Sequence, residues 1–162
     1  MSLIFLDIDG VLNSTSFYKS RRKGEYSPTD DIDPKAVNLL NELCKEASAE
    51  IVISSTWRKG HTLDELRYFF SFHGFTGNII SVTPVGGAIT CRGAEIKSWL
   101  YNSAPTFDYS RDYNKYVIID DDSDFLLYQA SHFIHVDTYY GITPNTVYRA
   151  CRILSGLYET IG

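Results

Sequence analysis

Leu3-Ile4-Phe5-Leu6-Asp7-Ile8-Asp9-Gly10-Val11-Leu12 is the stretch on which the fold turns. Its apolar run predicts a buried strand over residues 3–8 that delivers two carboxylates one residue apart. Side chains alternate along a strand, so Asp7 and Asp9 point the same way if extension continues. Two like charges that close repel each other unless a cation or a shared proton lies between them. The stretch therefore predicts a hard divalent cation, with a carboxylate beside it able to act as nucleophile. A hairpin turning at Asp9-Gly10 is the competing reading, but no complementary strand follows it.

Working outward, apolar strands alternate with amphipathic helices. Strands are expected over 51–53, 78–82, 116–119 and 132–136, and helices over 34–47, 62–72, 94–101, 125–129 and 143–154. Asp33 and Pro34 form a helix-start signal, and Thr62 caps the next helix. Strands that are apolar throughout belong to a parallel sheet covered on both faces. The fold class expected is thus α/β: a doubly wound, mainly parallel sheet with helices on both faces and its site at the carboxyl ends of the strands. Residues 1–162 are expected to form one domain, with a flap at about 13–33 and no large cap domain. The flap carries Lys19, Arg21, Arg22 and Lys23 beside Tyr18 and Tyr26.

A net charge of −5 argues against broad nucleic-acid coating but permits a local basic patch. No basic leader precedes the first apolar run, which is too short to span a membrane. Cys44, Cys91 and Cys151 are widely spaced and odd in number, which suits reduced thiols in a cytoplasmic protein. His73, His132 and His135 lack ligand spacing and are expected to be structural. Nothing in the pattern calls for an oligomer.

Three further segments carry chemistry. Ile51-Val52-Ile53-Ser54-Ser55-Thr56-Trp57-Arg58 ends a buried strand in hydroxyls, followed by backbone amides that can form an anion nest. Arg58 is a candidate fork for phosphate or a neighbouring substrate group. Trp57 and His61 can line the pocket, or pack in the core and a solvated loop. Val117-Ile118-Ile119-Asp120-Asp121-Asp122-Ser123-Asp124 ends another strand in acids. Arg92-Gly93-Ala94-Glu95-Ile96-Lys97 opens a helix with two cations.

Together with Asp7-Ile8-Asp9-Gly10-Val11-Leu12, these segments resemble the four motifs of the haloacid dehalogenase (HAD) superfamily of phosphotransferases. Within it, they resemble the small uncapped branch associated with RNA-repair proteins and their phage and bacterial homologues. The resemblance implies that Asp7 attacks phosphorus to form an aspartyl-phosphate. Asp9 would protonate the leaving oxygen and then activate water. It implies Ser54, aided by Ser55, as a ligand of the transferring phosphoryl group. Mg²⁺ would be held by Asp7, the backbone carbonyl of Asp9, and Asp120 or Asp121. Either Arg92 or Lys97 would offset negative charge, with Arg92 favoured by its place at the helix entry.

These features lead to the expectation of a Mg²⁺-dependent phosphomonoester hydrolase acting on a nucleotide or a nucleic-acid terminal 3′-phosphate. The alternative within enzymes is a housekeeping phosphatase of small sugar or metabolite phosphates. A phospho-accepting receiver domain is the alternative from another class. It places its acceptor Asp on a later strand, where this chain has Ser54.

Overall fold

The computed structural model describes residues 1–21, 32–102, 112 and 115–157. Five strands form one parallel sheet: β1 (Ser2–Leu6), β2 (Ala49–Ile53), β3 (Ile79–Val82), β4 (Tyr116–Asp120) and β5 (Phe133–His135), in the order β3-β2-β1-β4-β5. Five helices accompany them among the described residues: α1 (Thr15–Ser20), α2 (Pro34–Ala47), α3 (Leu63–Phe72), α4 (Arg92–Asn102) and α5 (Pro144–Leu154). The chain winds outward from β1 through β2 to β3, then returns to β4 on the other side of β1. That reversal opens a crevice at the carboxyl ends of β1 and β4.

Alternation along the strands sorts the core into two layers. Ile4, Leu6, Ile51, Ile53, Val117 and Ile119 pack beneath α2, α3 and α5, burying Val37, Leu40, Leu66, Phe70 and Val147. Leu3, Phe5, Val52, Tyr116 and Ile118 face the other way, onto Ile96, Trp99 and Leu100 of α4. Both faces are covered, so both parities of the central strands are apolar over residues 3–6, 51–53 and 116–119. Local signals set the helix starts. The Asp33 carboxylate accepts from Lys35 N at 2.9 Å with Pro34 at the first helical position, and Thr62 and Glu65 form a reciprocal capping box before α3.

The structure corrects several boundaries, three of which bear on the site. β1 ends at Leu6 because the carbonyl of Ile8 accepts from Val11 N and Leu12 N, turning the chain out of the sheet. The helix expected over 125–129 is instead a 3-10 turn, Leu127–His132. Two buried polar side chains hold it: Gln129 donates to Gly93 O, and the His132 ring contacts Tyr116 O. The helix expected from residue 94 begins at Arg92. The expected flap opens with α1, whereas Arg22, Lys23 and Tyr26 lie outside the described residues. The short intervals from β1 to α2 and from β3 to α4 leave no room for a large cap domain.

Candidate active site

Strand parity brings the acids together. Leu3 and Phe5 face α4, and so does the next position of that parity, Asp7. By the same count Val52 leads to Ser54, and Tyr116 and Ile118 lead to Asp120. The ladder aligns Leu6 with both Ile53 and Ile119. It continues one step further through Ser54 N to Leu6 O and Asp7 N to Ile119 O. Ser54, Asp7 and Asp120 therefore sit side by side at the carboxyl edge, where α4 begins with Arg92.

Arg92 reaches into this edge. Its Nη1 lies 3.2 Å from Asp7 Oδ1 and 2.5 Å from Asp120 Oδ2. The α4 start is fixed by Asp124, whose carboxylate accepts from Arg92 N at 3.1 Å. Lys97 is exposed on the same helix and lies over the rings of Tyr101 and Tyr128, away from the acids.

Asp7, Asp120 and Asp121 each offer a carboxylate oxygen within 4.8 Å of the others. Asp7 is buried and Asp120 fully so. Burial pushes the Asp7 carboxyl above its ordinary value, against the pull of Arg92 and of the Ser55 hydroxyl. Asp120 is pushed up to about 7, first by burial and then by the charge of Asp7, even with Arg92 beside it. Asp121 accepts from Thr138 Oγ1 at 2.9 Å and lies against Gly10. A Cβ at Gly10 would stand 2.0 Å from Asp121 Oδ2 and displace that carboxylate, and its φ of 76° is in the left-handed region, which favours glycine. Three carboxylates against one guanidinium leave an excess of negative charge and hard oxygen donors. That donor set fits a hard divalent cation.

Asp9 lies outside this cluster. With the chain already turning, it is exposed, and two side chains hold its carboxylate. Trp57 Nε1 donates to Oδ2 at 3.0 Å and Asn13 Nδ2 to Oδ1 at 2.9 Å, while Asn13 Oδ1 accepts from Gly10 N. Neither donor is marked as an Asp9 partner by sequence spacing. Asn13 lies four residues on, within a turn, and Trp57 comes from after another strand.

Ser54 is fully buried, and its hydroxyl has no hydrogen-bond partner among the described residues. An orphaned buried hydroxyl beside Asp7 is costly unless a ligand satisfies it. Ser55 caps the 3-10 turn Thr56–Lys59, accepting from Trp57 N. His135 Nε2 stands 2.9 Å from the carbonyl of Asp121.

The structure corrects the expectation for Arg58. Its guanidinium is buried in a salt bridge with Glu95 and donates to the carbonyls of Ser54, Ser55 and Thr83. Its donors hold the loop after β2 against α4 and do not project as a phosphate fork. Arg58→Ala would strand the Glu95 carboxylate, and breaking such a pair is expected to cost about 3–5 kcal/mol of folding stability. Denaturant unfolding checks this. A midpoint near wild type, with weakened phosphate binding, would return Arg58 to a ligand role.

A parallel sheet in this order, with acids after its first and fourth strands and a hydroxyl after its second, has the Rossmann-like architecture of HAD-type hydrolases. Residues 3–147 match the family described as the HAD domain in Swiss Army Knife RNA repair proteins. The chain belongs to that family, and is thereby a phosphatase-type hydrolase of the HAD superfamily. No curated protein and no solved structure matches it. No helix among the described residues is long and apolar enough to cross a membrane.

Proposed function

We propose that this chain is a Mg²⁺-dependent phosphomonoesterase working through an aspartyl-phosphate on Asp7. Its substrate is a nucleotide or a nucleic-acid terminal 3′-phosphate. The observation that carries the reading is the division of labour among the acids: Asp7, Asp120 and Asp121 converge on one point, while Asp9 stands outside it in a grip of its own. The family's description as a domain of RNA-repair proteins supports the substrate class.

In this reading Asp7, Asp120 and Asp121 would hold Mg²⁺, which would supply charge to offset that of the phosphoryl oxygens. The Asp7 carboxylate attacks phosphorus in line as the bond to the leaving oxygen breaks. Asp9 gives that oxygen its proton. Water then attacks the phosphorus of the aspartyl-phosphate, Asp9 takes its proton, and Asp7 is regenerated with release of phosphate. Ser54, whose hydroxyl has no partner among the described residues, and Arg92 bind the equatorial oxygens. Trp57 and Asn13 orient Asp9. A panel of phosphorylated compounds, including 3′- and 5′-phosphorylated oligonucleotides and sugar phosphates, tests the reading with and without Mg²⁺. Hydrolysis of 3′-phosphorylated ends only with the metal is expected, and preference for sugar phosphates would overturn the substrate class.

The raised Asp120 carboxyl gives a pH signature. Its folded value, about 7, lies above the ordinary carboxylate value. Its contribution to stability is therefore fully present below that ordinary value and is lost as pH rises through about 7. Metal binding needs the ionised form, so Mg²⁺ must displace a proton at low pH. Thermal unfolding should show a larger Mg²⁺-induced rise in Tm near pH 8 than near pH 5.5. Equal rises would mean that Asp120 is not a ligand.

A further inference from the structure

The indole that holds Asp9 has a second neighbour, a cavity of about 360 Å³ on the flank of α3. Trp57, His61, Leu66 and Phe69 line it together with Gly60. The Trp57 ring lies 5.0 Å from Phe69 and 5.9 Å from His61, centroid to centroid, so three aromatic rings stand around one concavity. The charged group on its lining, Glu65, is already engaged: its carboxylate accepts from Thr62 N at 2.7 Å in the cap of α3. The His61 Nδ1 is likewise tied, 3.0 Å from Trp57 O. Such a lining is unsuited to a phosphate and suited to a flat ring with apolar faces.

Its position gives the cavity a role. On the phosphatase reading above, Asp9 protonates the oxygen on which the leaving group departs. That oxygen must come within hydrogen-bond reach of the Asp9 carboxylate, and Trp57 Nε1 is 3.0 Å from the same carboxylate. A leaving group at that oxygen thus lies near Trp57, whose ring also lines the cavity. We propose that this cavity is the leaving-group subsite and that it takes the aromatic base of a nucleoside. Stacking on protein aromatics tolerates any base, so the subsite would select nucleosides without reading sequence.

Gly60 provides a test that leaves the other side chains in place. A Cβ there would meet no heavy atom within 4 Å, and its φ of −114° suits any residue. Gly60→Leu would add a bulky side chain at the cavity wall. The ratio of kcat/KM for adenosine 3′-monophosphate to that for glycerol 2-phosphate should fall about tenfold, equivalent to about 1.4 kcal/mol. A readout independent of turnover is tryptophan fluorescence, since Trp99 is buried and Trp57 borders the cavity. Adenosine should quench the wild-type protein saturably, ribose should not, and Gly60→Leu should weaken adenosine binding about tenfold. An unchanged kcat/KM ratio, no quenching by adenosine, or equal adenosine binding by the variant would overturn the subsite. If neither ester is hydrolysed, the phosphatase reading falls, and the fluorescence titration still decides what the cavity binds.

Discussion

Asp7→Asn is expected to abolish turnover, lowering kcat on the order of 10⁴-fold or more, because an amide cannot attack phosphorus. The substitution is nearly isosteric, and the apolar strand that carries it is anchored on both sides by β2 and β4, so the fold should survive. Circular dichroism and thermal unfolding would separate a folded, inactive variant from an unfolded one. Removing one negative charge from a buried, crowded site relieves repulsion with Asp120, so the variant should be no less stable than wild type above neutral pH. Near-normal hydrolysis by Asp7→Asn in saturating Mg²⁺ would contradict the assignment.

Asp9→Asn should behave differently. General acid–base groups contribute about 10²–10⁴-fold, and Asp9 serves in both chemical steps, so kcat should fall by about 10³. Its carboxylate lies outside the cluster of Asp7, Asp120 and Asp121, so the rise in Tm with Mg²⁺ should persist. In Asp120→Asn that rise should shrink sharply. A variant of Asp9 that loses the metal-dependent stabilisation, or one of Asp120 that keeps it while losing only rate, would reverse the two roles.

Much of this arrangement was legible in the sequence because strand parity is local. Once β1, β2 and β4 are recognised as parallel and buried, the residues ending them share one edge, and Asp7, Ser54 and Asp120 follow. Choosing between Arg92 and Lys97 needed only helical position: Arg92 opens α4 at the site, and Lys97 is exposed. Asp120 and Asp121 both belong to the cluster. One acid ends the strand and the other follows it, and Gly10 makes room for the second. What the sequence hid were contacts between distant segments. The hydrogen bond from Trp57 to Asp9 spans 48 residues, and the pairing of Arg58 with Glu95 spans 37. No periodicity marks either. Arg58 is ambiguous in sequence for a physical reason: an arginine after a strand ending in hydroxyls can bind phosphate or clamp backbone carbonyls, and the buried carboxylate of Glu95 selects the clamp.

The proposed mechanism passes through a covalent bond between phosphorus and Asp7. Mixing the wild-type protein with a hydrolysable 3′-phosphorylated substrate and Mg²⁺, quenching with acid within a single turnover, and mapping the phosphoryl group by peptide mass spectrometry tests it most directly. One phosphoryl group is expected on the peptide containing Asp7, reducible by borohydride at that residue and absent from Asp7→Asn. Substrate turnover with no phosphoryl group on Asp7 at any quench time, or with the group on another residue, would contradict it.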